Sequence, residues 1–298
     1  MLVSIVIRTL NEAKYLEELL QSIEMQNKDD FEVEVVVIDS GSTDRTLNIV
    51  NDYGCRLTSI TKKQFTFGRS LNIGSDFADG EILVYISGHC IPKDINWLKN
   101  LIKPLREGVA GFTYGRQEGR DTTKYSERKI FNKYFPDYSK IPQSDFFCNN
   151  ANSAIQRKVW EEFKFDEELT GLEDMELAKR YNQKGGKIAY IANANVYHIH
   201  NEKWQQTRRR YEREAIALQK IMPEVQVSFL DMIRYITVSV ISDIHGAIHD
   251  QCLMKEFFGI IKFRFAQYLG TYRGNHDNRT LSKKRKENYF YPNKTLQD

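Results

Sequence analysis

The sequence predicts an α/β protein built on a mixed, mainly parallel sheet, continued at its C-terminal end by a helical extension. Three observations support this. Over roughly the first 90 residues, apolar runs of strand length alternate with stretches whose apolar residues recur at helical spacing. Each apolar run stops at a polar, turn-forming segment. Beyond about residue 203 the pattern is helical only.

In chain order, residues 2–8 read as a buried strand. Leu16, Leu19, Leu20 and Ile23 then repeat at i, i+3, i+4 and i+7, one face of an amphipathic helix, with Asn11 as its expected cap. Residues 33–38 form the next strand, which ends at Asp39 before Ser40-Gly41-Ser42-Thr43-Asp44, and residues 46–50 are helical. A third strand falls near 56–60, another helix over 70–77, and a fourth strand over 81–86 that stops at Ser87-Gly88-His89. This βαβαβαβ order implies parallel strands with helices on both faces. Residues 112–147 are irregular and aromatic. Tyr125, Phe131, Tyr134, Phe135, Tyr138 and Phe147 are read mainly as packing residues, with stacking on sugar rings as the alternative.

The apolar runs 228–248 and 252–269 are interrupted by Asp231, Arg234 and Asp243, and by Lys255, Lys262 and Arg264, so neither reads as a membrane span. An ordinary core or oligomer helix pair is the leading reading. Basic residues beside phenylalanines support an interfacial helix as the alternative. Lys283-Lys284-Arg285-Lys286 reads as a solvated tail with weak attraction to anionic lipid.

With 298 residues, 41% hydrophobic and 28% charged, the chain can bury a large core and lacks the composition of a disordered protein. Its 43 basic and 40 acidic side chains leave +3, too weak a field for wrapping nucleic acid, and no nucleic-acid partner is expected. The cysteines, Cys55, Cys90, Cys148 and Cys252, are far apart without a C-x-x-C pair, which points away from disulfides and thiolate zinc and toward a cytoplasmic location. The first residues run straight into a strand pattern, without the features of a signal peptide.

Open parallel sheets bind ligands where their strands end, which directs attention to residues 9–12, 39–42 and 87–89. No G-x-G-x-x-G or P-loop lysine follows these strands, against a dinucleotide-binding dehydrogenase or a P-loop NTPase. Asp39, a carboxylate at a strand end, suits a base or ribose as hydrogen-bond partner.

Ile5-Val6-Ile7-Arg8-Thr9-Leu10-Asn11-Glu12 followed by Val36-Val37-Ile38-Asp39-Ser40-Gly41-Ser42-Thr43-Asp44 resembles the opening of family-two glycosyltransferases with the GT-A fold. The likeness continues through Phe67-Gly68-Arg69-Ser70-Leu71-Asn72, Trp97-Leu98, Gly115-Arg116-Gln117 and Gly171-Leu172-Glu173-Asp174-Met175-Glu176-Leu177, a run similar to bacterial rhamnosyltransferase-like members. It covers roughly residues 1–210. It implies a catalytic domain over residues 1–205, with residues 206–298 as the helical extension. It also implies an inverting transfer from a nucleotide-sugar donor to a glycan or lipid-linked acceptor, in the cytoplasm or at the inner face of the membrane, with homo-oligomerisation as a further expectation.

Carried over residue by residue, the resemblance makes Asp174 the general base and Glu173 its orienting partner. It assigns the nucleotide to Thr9, Asn11, Glu12, Asp39, Ser40, Arg69, Asn72 and Ser87. Asn149, Asn150 and Asn152 fall where members line the donor and acceptor cleft. The family's Asp-X-Asp, whose second Asp binds a divalent cation, Mn²⁺ or Mg²⁺, is replaced by Ser87-Gly88-His89. Three readings follow. His89 joins His198 or His200 in a nitrogen-rich site suited to Mn²⁺ or another transition metal over Mg²⁺; or His89 meets phosphate directly as a donor or cation; or it is a turn residue of a degenerate member. Two other classes compete: a non-catalytic nucleotide-sugar or glycan-binding protein, and a sugar-nucleotidyltransferase, whose glycine-rich basic loop is missing from residues 9–12.

Overall fold

The computed structural model describes residues 1–277 and 289–290. The basic run 283–286 lies outside the described residues.

The first third alternates as the sequence implies: β1 (Leu2–Thr9), α1 (Ala13–Glu24), β2 (Glu32–Asp39), α2 (Thr46–Asp52), β3 (Arg56–Ser59), α3 (Phe67–Phe77) and β4 (Ile82–Ser87). Then come β5 (Cys90–Pro92), α4 (Trp97–Arg106), β6 (Phe112–Glu118), α5 (Tyr125–Tyr134), β7 (Asn152–Gln156), α6 (Arg157–Phe163), α7 (Glu173–Gln183) and β8 (Ile188–His198). The chain ends, among the described elements, in α8 (Trp204–Ile221), α9 (Phe229–His249) and α10 (Leu253–Asn275).

One eight-stranded sheet has the order β3-β2-β1-β4-β7-β6-β8-β5. Strands β3, β2, β1 and β4 are parallel, β7 runs antiparallel to both β4 and β6, and β6 is parallel to β8. The inner strands are buried along almost their whole length, which is why they read as continuous apolar runs without alternation. Residues 112–147, irregular in sequence, hold β6 and α5. The regular spacing is hidden because β6 is buried on both faces and carries polar residues that bond inside the molecule. Tyr114, Phe135, Phe147 and Tyr190 form one aromatic cluster with centroids 5.0–6.4 Å apart, the packing role expected for this segment.

Asn11 is not the cap of α1. That position belongs to Glu12, without a side-chain cap bond, and Asn11 sits at φ +58 just before it. The orphan N–H groups at the start of α1 are instead met from the loop before α2 and its first residue: Glu12 donates to Thr46 Oγ1 (2.9 Å) and Ala13 to Asp44 Oδ2 (3.2 Å).

The chain divides into two compact units. The first comprises Met1–Arg120, Asn132–Glu168 and Glu173–Ile199; the second takes Asp121–Phe131, Leu169–Leu172 and the chain from His200 on. The second thus begins five residues ahead of the cut expected near 205 and recruits two earlier segments. Within it α8 and α10 lie close together: a Cβ on Gly274 would stand 2.2 Å from the Glu212 carbonyl oxygen. Asp243 and Arg264, which interrupt the apolar runs in sequence, form a buried bidentate pair (2.7 and 2.8 Å) joining α9 to α10. Among the described residues no helix is long and apolar enough to cross a membrane.

Candidate active site

The pairing Arg8↔Ser87 and Thr9↔Asp39 brings the carboxyl ends of β4, β1 and β2 level. Asp39 organises the loop beyond them. Its Oδ2 accepts from the backbone N–H groups of Gly41 (2.8 Å) and Ser42 (2.9 Å), and its Oδ1 from the hydroxyls of Ser42 and Thr9. The Ser40 hydroxyl donates to the Thr9 carbonyl (2.9 Å), and Asn11 takes the Thr43 N–H on its Oδ1 (2.8 Å). Thr9, Asn11, Asp39 and Ser40 are therefore brought together, laced into one pair of loops. Ser87 closes β4, its N–H directed at the Ala151 carbonyl (3.3 Å).

Asp174 and Glu173 open α7, and both are buried. The Asn150 backbone N–H donates to Asp174 Oδ2 (2.7 Å), and the Met175 N–H to Oδ1 (2.8 Å). Burial, and then the Glu173 carboxylate beside it, push the Asp174 pKa up to about 7. Glu173 is held by Arg8 (3.3 Å), whose guanidinium also bonds the Phe67 carbonyl and lies over the Phe67 ring. Arg8 received no role from the sequence. The available signal was a charged side chain at the end of the buried run Val3 to Ile7.

The rings of His89 and His198 are stacked, centroids 5.3 Å apart and 27° between planes. His89 Nδ1 faces Glu12 Oε1 at 3.0 Å, and His198 Nδ1 faces Gln117 Oε1 at 2.7 Å. Glu12 thus meets His89, the replacement for the usual carboxylate. His200 belongs to the second unit, where its Nδ1 faces Glu127 Oε1 at 2.8 Å.

Arg69 and Asn72 both bond within the protein. Asn72 spends its whole amide on the protein: Nδ2 donates to the Phe165 carbonyl (3.0 Å) and Glu167 (3.1 Å), and Oδ1 accepts from Trp160 Nε1 and the Phe165 N–H. These four bonds tie the middle of α3 to Trp160, Phe165 and Glu167. Arg69 pairs with Glu167 (2.6 Å) and the Gln64 carbonyl (2.9 Å). The residue between this pair and Arg8 has to be glycine, since a Cβ on Gly68 would stand 2.2 Å from the Asp166 carbonyl oxygen. Of the three asparagines, Asn152 is consumed by Trp97, Arg116 and Ala194, and Asn149 Oδ1 accepts from Gln117 and from the Ala151 N–H. The Asn150 Nδ2 is buried without a hydrogen-bond partner.

Consecutive residues therefore tie the two halves of the site together: Asn149 reaches His198 through Gln117, and Asn150 holds Asp174. The arrangement offers a proton acceptor poised near neutral pH and a pair of imidazoles.

The model of the family described as glycosyl transferase family 2 matches residues 4–163. The O-antigen chain rhamnosyltransferase RfbN of Salmonella typhimurium is 28% identical over 224 residues, 71% of this chain and 70% of that protein. The poly(ribitol-phosphate) beta-N-acetylglucosaminyltransferase TarS of Staphylococcus aureus is 25% identical over 258 residues, 84% of this chain and 42% of its own length. Among solved structures, a mannosyltransferase from Pyrobaculum calidifontis in complex with GDP-Man and Mn²⁺ covers 93% of this chain and 88% of its own, with TM-score 0.64 and 17% identity. That likeness carries the fold. Asp174 lies beyond the segment the family model matches.

Proposed function

The chain belongs to glycosyl transferase family 2, and from that membership we propose an inverting transferase that moves a sugar from a nucleotide-sugar donor to a hydroxyl of a glycan or lipid-linked acceptor in bacterial surface-polysaccharide synthesis. The rhamnosyltransferase relative makes a rhamnosyl donor the first to try. The observation that carries the reading is Asp174: a buried carboxylate, held by two backbone N–H groups, with its pKa raised to about 7. A base with that pKa matches its proton affinity to neutral conditions.

In the proposed step the Asp174 carboxylate takes the proton of the acceptor hydroxyl. The acceptor oxygen forms its bond to the anomeric carbon from the face opposite the leaving group. The bond from that carbon to the phosphate oxygen breaks, and the nucleotide leaves with the electron pair. Glu173, fixed by Arg8, holds the first turn of α7 and with it the direction of Asp174. The loops laced by Asp39, Thr9, Asn11 and Ser40 receive the nucleoside, while Glu12, Ser87 and Arg69 border the phosphates.

His89 and His198 are the residues that would hold a divalent cation. Their chemistry fits one: each turns Nδ1 toward an oxygen of the protein, which leaves Nε2 as the ligating nitrogen. Two imidazolium rings stacked at 5.3 Å would repel each other, so a shared cation suits them better than two protonations. Nitrogen ligands favour Mn²⁺ over Mg²⁺, and such a cation, when bound, supplies charge neutralisation at the departing phosphates.

On α10, Met254 and Phe258 are 95% and 71% exposed, next to the exposed Lys255 and Lys262. That combination suits the anionic inner face of a membrane, where a lipid-linked acceptor would be met. The test of the function is turnover. Wild-type protein should hydrolyse slowly, or transfer from, one member of a panel of UDP-, GDP-, dTDP- and CMP-sugars, and Asp174→Asn should bind that donor yet lose ~10²-fold or more in rate. Equal rates in the two proteins would remove Asp174 as the base.

A further inference from the structure

We propose that Gln117 and Asn149 are positioning residues that fix His198 as its Nδ1–H tautomer and so present the Nε2 lone pair as a ligand. The tautomer follows from hydrogen bonding alone; what the lone pair binds rests on the metal reading above.

The chain of reasoning starts at an atom whose role is unambiguous. The Ala151 backbone N–H is a donor, and it meets one terminal atom of the Asn149 amide at 3.0 Å, so that atom is the oxygen. Gln117 reaches the same oxygen at 3.1 Å and must do so through its NH₂. The other terminal atom of Gln117 is then Oε1, and it lies 2.7 Å from His198 Nδ1. An amide oxygen can only accept, so Nδ1 carries the hydrogen, and in the neutral ring the lone pair is on Nε2. Flipping either amide would set donor against donor, or acceptor against acceptor, where Gln117 is 1% and His198 7% exposed and water cannot relieve the clash.

The backbone is shaped to the same end. The β6–β8 pairing shifts register between Gly115 and Gln117, and irregularities of this kind re-aim a side chain beside a site. Gln117 then pairs with Val196, two residues before His198 on the neighbouring strand. His89 reaches the same tautomer by a different route, since Glu12 offers its Nδ1 a carboxylate. A neutral His198 so oriented cannot donate to a phosphate oxygen through Nε2. It suits a cation of transition-metal type, and its partners through Asn150 also fix the base, so one loop sets both.

The experiment uses the full chain, free of metal, with ¹⁵N-labelled histidine, at a pH where the rings are neutral. Long-range ¹H–¹⁵N spectra report the tautomer of His198, and Mn²⁺ binding is measured separately by electron paramagnetic resonance. The wild type is expected to show Nδ1–H. Gln117→Met and the milder Asn149→Ala should shift the ring toward Nε2–H and weaken Mn²⁺ binding by ~10–100-fold. A wild-type His198 found as Nε2–H, or a tautomer unmoved in both Gln117→Met and Asn149→Ala, overturns the proposal. Nδ1–H in a wild type that binds no Mn²⁺ upholds the tautomer assignment and overturns the metal reading.

Discussion

Asp174→Asn should gain stability relative to the wild type as pH rises, while losing turnover. Burial and Glu173 move the Asp174 pKa from 3.8 to about 7. At 1.36 kcal/mol per unit this is at most about 4 kcal/mol of cost to the folded state once the carboxylate is ionised. The positive end of α7 favours the charge by only about 0.3–1 kcal/mol, so burial wins. The sign follows from linkage. Between about pH 4 and pH 7 the folded state binds more protons than the unfolded one, so wild-type stability falls across that window and the loss is complete above about pH 7. Asparagine does not titrate. Its NH₂ must, however, face one of the N–H groups of Asn150 and Met175 that now donate to Asp174, at a cost of about 1–3 kcal/mol. The mutant is thus expected to be the less stable protein near pH 5, and to match or exceed the wild type at pH 8. Urea denaturation of both proteins across pH 5–8 measures this. A mutant whose deficit grows with pH would refute the reasoning. That is the behaviour of a first-turn acid that merely stabilises the helix in its ionised form, with its pKa lowered.

Arg8→Gln leaves the Glu173 charge buried and unpaired beside Asp174, so the acid limb of the kcat/KM profile should move up by ~1 pH unit, with ~5-fold lost at pH 7 and little at pH 9; an unmoved limb would separate Arg8 from the base. Arg69→Ala should cost less than about 1 kcal/mol of stability, since its ion pair with Glu167 is more than one-third exposed. If Arg69 borders the donor phosphates, its loss should raise the donor Kd ~10-fold by calorimetry, and an unchanged Kd would confine it to the Glu167 pair. Replacing Lys255 and Lys262 by Glu together with Phe258→Ser should abolish co-flotation with anionic vesicles; retention would clear this face of α10.

The strand–helix alternation and the strand-end loops of the first third were legible because β1, β2 and β4 are dominated by apolar residues and the segments where they end are polar. Residues such as Leu16, Leu19 and Leu20 marked α1 at helical spacing, and all three are buried. The cap of α1 was not legible, since Thr46 and Asp44 reach its N–H groups from over 30 residues away. Asn72 was assigned to the nucleotide through the resemblance alone, by its place near the start of the helix after the third strand. Here it satisfies Trp160 and Phe165, partners that no local pattern announces. The same distance hides Arg8 with Glu173 and Gln117 with His198, pairs that only the folded sheet brings together. His89 was visible as a departure from a motif; its carboxylate partner, Glu12, was placed in the nucleotide loop and also sits at the histidine.

The most direct test of the account is the thermal stability of the purified protein against UDP-, GDP-, dTDP- and CMP-linked sugars, each with EDTA and with Mn²⁺, in the wild type and in His89→Gln. A ligand bound only by the native state raises Tm, by roughly 2.7 kcal/mol of stabilisation at a hundredfold excess over Kd. The account predicts that one nucleotide class raises Tm with Mn²⁺, that EDTA removes the shift, and that His89→Gln loses it. Stabilisation that survives EDTA undiminished would contradict the cation site at His89 and His198, and no stabilisation by any donor would contradict the transferase reading of this chain.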